Sequence, residues 1–250
     1  MTAPRLCAVV PSHNHWRALG EVVGRLRDAG LPVFVVDDGS AEPARTEIAA
    51  LAAPGSGVAV ARHERNQGKG EAVLTGFTLA GEAGFTHVLQ VDADGQHDLS
   101  VLPRLLAAAR QHPRALVCAS PVFDASAPAG RRIGRQITRF WAAVETLCLR
   151  LPDTMCGLRI YPLAAAARLA GRVRLGRRMD FDTEILVRLV WDRVPVATVP
   201  VAVRYRADNF SNFSLLADNW RISRMHTRLV LALPLHAVGL LRHRPVVLDA

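Results

Sequence analysis

The sequence places two aspartates, Asp92 and Asp94, one residue apart at the end of an apolar run at 86–91. Two carboxylates this close repel each other unless a cation lies between them. Mg²⁺ and Mn²⁺ prefer carboxylate oxygens and often share their coordination with substrate phosphates. A turn is the alternative interpretation, because Asp and Gly, as in Asp94 and Gly95, favour turns for local reasons. The segment therefore predicts a metal site or a turn.

A second acidic pair, Asp37 and Asp38, follows an apolar run and precedes a helical pattern. Carboxylates in this position can accept hydrogen bonds from ribose hydroxyls or from the edge of a base. The alternative is a helix cap with Ser40 near the N-cap position. Asn66 and Lys69 lie in a glycine-containing segment that opens another helix, and a helix N-terminus attracts phosphate. This segment lacks the full pattern of a P-loop or of a dinucleotide fingerprint.

Acids in the second half of the chain are candidates for a general base. Asp153 precedes Arg159 with a glycine between them, and Asp182 stands near the start of an apolar helix. For Asp182 a structural role is the alternative, since the helix dipole favours acids in the first turn. Arg131 and Arg135 follow a loop containing Pro and Gly, at a spacing that can line a diphosphate groove. A solvated basic face is the alternative for these arginines.

The elements that must position these residues alternate between strands and helices. The apolar patterns predict strands at 6–10, 33–36, 58–61, 86–91 and 115–119, and helices at 16–29, 44–52, 70–83 and 99–111. This alternation is typical of a mostly parallel α/β sheet covered by helices on both faces. Ligands bind such sheets at the carboxyl ends of the strands. Both acidic pairs and Asn66 are predicted to lie at that edge.

The second half of the chain is less regular. A basic amphipathic stretch covers 131–151, a core helix is predicted at 183–192, and an extended pair of strands at 194–203. We assign 1–214 to one domain and 215–250 to a helical, amphipathic C-terminal tail. The apolar segment 229–241 is too short to span a bilayer and is flanked by arginines. It predicts a peripheral membrane contact or, alternatively, a C-terminal core helix.

Composition narrows the class of protein further. The chain has 250 residues, half of them hydrophobic, and a net charge of +9, which favours anionic partners such as nucleotides or phospholipid head groups. The aromatic and basic sheet patterns of nucleic-acid-binding modules are missing, so no nucleic acid partner is expected. The four cysteines show no CxxC spacing, which is typical of reduced thiols in a cytoplasmic protein. No signal peptide is predicted.

The order of these segments resembles that of family 2 glycosyltransferases with the GT-A fold, which has a Rossmann-like central sheet. The resemblance covers roughly residues 5–214 and is carried by the segments at 10–14, 36–40, 66–72 and 92–97. The segments at 156–159 and 181–184 narrow it to the dolichyl- or polyprenyl-phosphate sugar synthase-like branch. A closer likeness is to bacterial members encoded with aryl-polyene or xanthomonadin-type pigment genes.

The resemblance implies an inverting, metal-dependent transfer of a hexose from a nucleotide-diphosphate sugar to a lipid-phosphate or polyene acceptor. Asp92, Asp94 and Gln96 would bind Mg²⁺ or Mn²⁺. Asp153 is the first choice for the base or acceptor-orienting acid, and Asp182 the second. The donor would contact a larger set of residues: Pro11, Asn14, Asp37, Asp38, Asn66, Lys69, Asp92, Arg131, Arg135 and Arg159. A lipid acceptor implies a cytoplasmic protein that is peripheral on the inner face of the cytoplasmic membrane.

Two segments depart from the family pattern. His13-Asn14-His15 stands where the family usually has Tyr-Asn-Glu, and the missing acid leaves base recognition open. The segment 209–214 lacks the His and Arg that the family carries near the pyrophosphate. A second function therefore stays open, that of a catalytically impaired sugar-nucleotide-binding relative with a regulatory or scaffolding role.

Overall fold

The computed structural model describes residues 3–122, 129–202 and 214–250, with the side chains of 129–133 and 202 outside that description. These residues form one eight-stranded sheet. Its strands are β1 Leu6–Ser12, β2 Val33–Asp37, β3 Val58–Arg62, β4 His87–Gln90, β5 Leu116–Val122, β6 Arg159–Pro162, β7 Val196–Ala202 and β8 Val247–Asp249. The strand order across the sheet is β3-β2-β1-β4-β6-β5-β7-β8.

The sheet is parallel apart from one strand. β6 pairs antiparallel with both β4 and β5, and the other neighbouring strands pair parallel. The predicted mostly parallel sheet is therefore confirmed. Because β1, β2, β3 and β4 run in one direction, the loops after all four strands meet at one edge of the sheet.

Helices cover both faces of the sheet, as the alternating pattern predicted. They are α1 Leu19–Asp28, α2 Ala44–Ala50, α3 Lys69–Glu82, α4 Leu102–Gln111, α5 Ala129–Thr146, α6 Leu163–Arg172, α7 Phe181–Trp191 and α8 Leu215–Arg242. One hydrophobic cluster joins α1, α2 and α4 to the sheet, and a second joins α3, α6, α7 and α8 to the opposite face. Strands buried on both faces read as continuous apolar runs, which is why β1 and β2 were recognisable in the sequence.

Several elements differ from the sequence-based expectation. β6 and α6 were not predicted, because β6 has four residues and begins with the charged Arg159. The helix predicted at 99–111 begins with a 3-10 turn, Leu99–Val101, before α4. Within the described residues the expected pair of strands at 194–203 is the single strand β7. The region 215–250, expected to be a helical tail, contains α8 and then returns to the sheet as β8.

Buried polar contacts hold α8 against the domain. Oε1 of Glu145 in α5, which is fully buried, lies 2.7 Å from Nδ1 of His226 in α8. The indole of Trp191 donates to the main-chain oxygen of Glu145 at 2.8 Å, and Arg228 donates to Glu184 of α7 at 3.0 Å. Since a buried carboxylate is costly without partners, these contacts fix the position of α8 beside α5 and α7.

Among the described residues, no helix is both long enough and apolar enough to cross a bilayer. The longest of them, α8, is amphipathic and carries Pro234 within it.

Close packing of α3 on β1 gives a first prediction. A Cβ at Gly76 would overlap the side chain of Val9, whereas a Cβ at Gly24 of α1 meets no atom within 4 Å. We expect Gly76→Ala to lower the free energy of unfolding by about 1–3 kcal/mol through overpacking. The matched control Gly24→Ala should raise it by roughly 0.5–1 kcal/mol through helix propensity. Urea denaturation measures both, and similar effects of the two substitutions would contradict the packing.

Candidate active site

A cavity of about 280 Å³ opens at the edge of the sheet where β1 and β4 end. Residues from both halves of the chain line it. Among the residues predicted from sequence, the lining includes Pro11, Asp38, Asn66, Lys69, Asp92, Asp94, Gln96, Arg135 and Asp182. The fold therefore gathers most of the predicted site residues around one space.

Lys69 lies at the centre of this arrangement. Its Nζ is 2.6 Å from Oδ1 of Asp92 and 2.7 Å from Oδ2 of Asp182. The other oxygen of Asp182 accepts a hydrogen bond from Nε2 of Gln90 at 2.8 Å. The ammonium thus joins the first residue of α3 to the loop after β4 and to the first turn of α7.

Burial and charge act in opposite directions at this ion pair. Burial alone would lower the pKa of Lys69, but the carboxylates of Asp182 and Asp92 hold that pKa well above its ordinary value. Burial alone would raise the pKa of Asp92, but the ammonium of Lys69, with a smaller effect of His97, holds it well below its usual range. Both groups are therefore charged at neutral pH.

Gly157 makes room for the ion pair. A Cβ at this position would lie 2.6 Å from Oδ2 of Asp92, 2.7 Å from its Oδ1 and 2.7 Å from Nζ of Lys69. The backbone before β6 therefore passes directly beside the ion pair, and a side chain at Gly157 would displace it.

The segment that contains Asp92 and Asp94 is both a turn and a polar site. Gly95 has a φ of 69°, in the left-handed region, and the N–H of Gln96 donates to Oδ1 of Asp94 at 3.0 Å. This turn directs Asp92, Asp94 and Gln96 to the same cavity. The two interpretations of the sequence are therefore compatible, because the turn supplies the geometry of the site.

The site fits a divalent cation that is only partly coordinated by protein. Burial, and then the charge of Asp92, raise the pKa of Asp94, so a nearby cation would relieve an electrostatic cost. Within the described residues there is no cluster of at least three His, Cys, Asp or Glu side chains arranged as metal ligands. Mg²⁺ is commonly held by one or two carboxylates, with waters and substrate phosphates completing its coordination. The two aspartates and Gln96 match that open kind of site.

The acidic pair at Asp37 and Asp38 has a largely structural role. Asp37 is 2% exposed, forms an ion pair with Arg62 and accepts from the N–H of Ser40 at 2.9 Å. It does not line the cavity. Asp38 does line it, but its carboxylate accepts from the backbone N–H groups of Gln67 at 2.8 Å and Gly68 at 2.7 Å. Asp37 therefore has a local structural role, but the predicted helix cap near Ser40 is not formed, because α2 begins at Ala44 with Pro43 as its N-cap. Asp38 fixes the loop that leads into α3.

Other residues predicted to contact the donor lie outside the cavity. The side-chain oxygen of Asn14 accepts from the N–H of Ala41 at 3.0 Å, which ties two loops together. Arg159 is fully buried and donates to the main-chain oxygens of Thr154 and Asp182. Because the guanidinium is buried and engaged by main-chain oxygens, the prediction that Arg159 contacts a phosphate is wrong. The side chain of Arg131 lies outside the described residues, as does 209–213.

Asp153 and Asp182, the two candidate bases, have different surroundings. Asp182 lines the cavity, with its carboxylate engaged by Lys69 and Gln90. Asp153 forms an ion pair with Arg135 and lines a neighbouring cavity of about 260 Å³, which shares Arg135 with the first. Asp182, the second choice for the base, therefore lines the main cavity, whereas Asp153, the first choice, lines the neighbouring one.

The sequence interpretation missed several lining residues. Arg178 lines the cavity and donates to Oδ1 of Asn66 at 3.0 Å. The basic pair Arg177 and Arg178, just before the acids at 180–184, was the available signal. Asp218 of α8 also lines the cavity and accepts from the N–H of Ser214 at 2.8 Å. Its contribution depends on how α8 folds back, and local sequence carries no signal for that.

Burial disfavours the reactive thiolate form of Cys156, a cysteine in the cavity wall. Burial, with a smaller effect of Asp153, raises the pKa of the Cys156 thiol to about 12. The thiol is therefore protonated at neutral pH, and the thiolate is the reactive form.

The fold and the family can be compared with known proteins. The family model described as Glycosyl transferase family 2 matches residues 7–163. An undecaprenyl-phosphate mannosyltransferase from Micrococcus luteus is 32% identical over 184 residues, which cover 71% of this chain and 70% of that relative.

Two solved structures show the same architecture. Glucosyl-3-phosphoglycerate synthase from Mycobacterium tuberculosis, in complex with Mn²⁺, UDP-glucose and phosphoglyceric acid, has a TM-score of 0.66 at 18% identity, covering 94% of this chain and 80% of that one. A mannosyltransferase from Pyrobaculum calidifontis, in complex with GDP-Man and Mn²⁺, has a TM-score of 0.59 at 16% identity, covering 98% and 71%. These likenesses confirm the predicted GT-A fold. With its family model matched over more than half of its length, the chain belongs to glycosyl transferase family 2.

Proposed function

We propose that this protein transfers a hexose from a nucleotide-diphosphate sugar to a lipid-phosphate acceptor, with inversion at the anomeric carbon. The observation that carries the proposal is one cavity in which Asp92, Asp94 and Gln96 face the cationic side chains of Lys69 and Arg178. A diphosphate needs both groups, a metal held by carboxylates and cations that balance its remaining charge.

Asp94, with Asp92 and Gln96, would hold Mg²⁺ or Mn²⁺ against the donor diphosphate. The cation supplies charge stabilisation for the nucleoside-diphosphate leaving group. Lys69 and Arg178 add positive charge beside the same group, in a cavity where partial burial strengthens electrostatic interactions. Asp38 and Gly68 shape the loop on which Asn66 reaches the cavity.

The chemistry is a single displacement. An oxygen of the acceptor phosphate forms a bond to the anomeric carbon, while the bond from that carbon to the donor diphosphate breaks and the nucleoside diphosphate leaves with the electron pair. A phosphate oxygen is already anionic, so orientation is needed more than proton removal. Asp182 would then act by holding Lys69, and Asp153 by orienting Arg135, without either removing a proton.

The acceptor class is supported by the relative from Micrococcus luteus, which acts on undecaprenyl phosphate according to its name. We propose that Arg135, which lines both the main cavity and its neighbour, contacts an acceptor phosphate. We extend the proposal to a cytoplasmic location with peripheral membrane contact, because such an acceptor is embedded in a bilayer. The likeness to pigment-cluster members also suggests a polyene acceptor. Measurement of sugar transfer to polyprenyl phosphate and to polyene acceptors distinguishes the two.

A thermal-shift screen tests the donor half of the proposal. UDP-, GDP- and CMP-sugars are added with and without Mn²⁺, and the midpoint of unfolding is measured. One donor class should stabilise the protein only with the metal, by about 2.7 kcal/mol at a hundredfold excess over its Kd. No shift with any donor would count against the proposal. Metal-dependent binding without transfer to polyprenyl phosphate or polyene acceptors would instead favour the catalytically impaired relative.

Replacement of Asp94 should abolish metal-dependent donor binding. We expect Asp94→Asn to lose the donor-plus-Mn²⁺ shift and to slow transfer by at least about a hundredfold. Unfolding of the ligand-free variant should occur at the same or a higher temperature, because the substitution removes repulsion with Asp92. Glu82→Gln, an exposed acid at the end of α3, is the control and should behave like wild type. A donor shift that survives in Asp94→Asn would refute the assigned metal site.

Substitution of Gly157 tests the ion pair beside it. We expect Gly157→Ala to weaken donor binding by roughly tenfold or more, since a methyl group would push Asp92 and Lys69 out of position. Gly171→Ala, on α6 with no atom within 4 Å of the added Cβ, serves as the matched control. Calorimetric titration with the donor found by screening measures both affinities. Equal affinities in the two variants would show that the position of Asp92 is not critical.

A further inference from the structure

Two neighbouring helices expose large apolar side chains beside the candidate site. We define the rim patch as Ile137, Phe140 and Trp141 of α5 with Leu215, Leu216 and Trp220 of α8. Leu216 is 89% exposed, Trp220 71% and Phe140 61%. Large side chains grouped in this way mark an interaction surface more often than scattered ones do.

The rim patch lies on α5 and α8, the two helices that contribute Arg135 and Asp218 to the cavity lining. Further along, Glu145 of α5 contacts His226 of α8, so the two helices run side by side in the same direction away from the site. The ring centroids of Phe140 and Trp141 are 5.5 Å apart, which places two exposed aromatic rings together on α5.

Within the described parts of α5 and α8, the exposed charged side chains have one sign. Arg139 and Arg224 are exposed on α5 and α8. The acids in the sequences of these two helices are Glu145 and Asp218, and both are buried, at 0% and 4% exposure. The exposed surfaces of the helices therefore combine arginine with tryptophan, phenylalanine and leucine.

From this combination we infer that the rim patch docks onto an anionic lipid bilayer and holds the helices that line the cavity close to the membrane surface. Aromatic and apolar side chains enter the boundary between head groups and acyl chains, while arginines contact the head-group phosphates. The inference deepens the proposed function. It rests on that function because the proposed acceptor is a lipid. Docking itself is measurable without donor, metal or acceptor.

The geometry favours this end of α8 over the segment 229–241 that the sequence pointed to. Leu231 and Leu235 are also exposed, at 76% and 86%. Between Arg228 and Arg242, however, α8 carries neither an arginine or lysine nor an aromatic residue of the Trp, Tyr or Phe type. That half of the helix lacks the mixed composition of a membrane interface, and the stacked pair of Trp191 and His236 joins it to α7.

Vesicle co-sedimentation of the full chain tests the inference. Wild type should bind phosphatidylcholine vesicles containing phosphatidylglycerol, and the binding should weaken at high salt or without the anionic lipid. The double variant Phe140→Ser/Trp220→Ser should bind about tenfold or more weakly, because less apolar surface enters the lipid. The control Leu231→Ser/Leu235→Ser should retain wild-type binding. All four side chains are exposed, so folding should be preserved, and the midpoint of thermal unfolding checks this.

The outcomes separate the two proposals. Absent vesicle binding, or binding lost in the control instead of the rim variant, overturns the docking inference even if the metal-dependent donor shift is present. Vesicle binding with no donor shift leaves the docking inference standing and removes the proposed function. A dimer of wild type that the rim variant converts to monomer, without vesicle binding by either, would assign the rim patch to a second copy of the chain and overturn the inference.

Discussion

The arrangement of the candidate site depends on the ion pair that Lys69 forms with Asp92 and Asp182. These three residues come from the start of α3, the loop after β4 and the first turn of α7, so one partly buried ammonium joins elements from both halves of the chain. Removing one partner of such an ion pair leaves a charge uncompensated. The surrounding backbone fits this ion pair closely. Gly157 has no side chain that would displace it, and Gln90 occupies the second oxygen of Asp182.

This ion pair also balances part of the acidic charge at the site. Lys69 neutralises Asp92, whereas the pKa of Asp94 is raised by burial and by the charge of Asp92. A divalent cation brought in with a diphosphate would stabilise the charged form of Asp94. Metal and donor are therefore expected to bind together, because the protein offers an incomplete ligand set that donor oxygens complete.

The sequence allowed much of the fold to be predicted, for identifiable reasons. Buried parallel strands such as β1 and β2 are continuous apolar runs, and α1 has apolar residues at helical spacing, so both kinds of element were recognised. β6 and β8 were missed because short strands carry little periodic signal. That Asp92, Asp94 and Lys69 line one cavity was predictable, because the loops after parallel strands meet at one edge of the sheet. Arg159 could not be assigned from sequence, since its burial depends on the way the loop before β6 and the first turn of α7 present the carbonyl oxygens of Thr154 and Asp182 to it.

The central claim is that Asp94 and its neighbours hold a divalent cation against a donor diphosphate. A crystal structure with Mn²⁺ and the nucleoside diphosphate selected by the screen, recorded with anomalous scattering from manganese, tests it most directly. We expect an anomalous peak within coordination distance of a carboxylate oxygen of Asp94 and of diphosphate oxygens, with Lys69 beside the diphosphate. A nucleotide bound in the cavity with no manganese at Asp94, or manganese bound elsewhere, would contradict it.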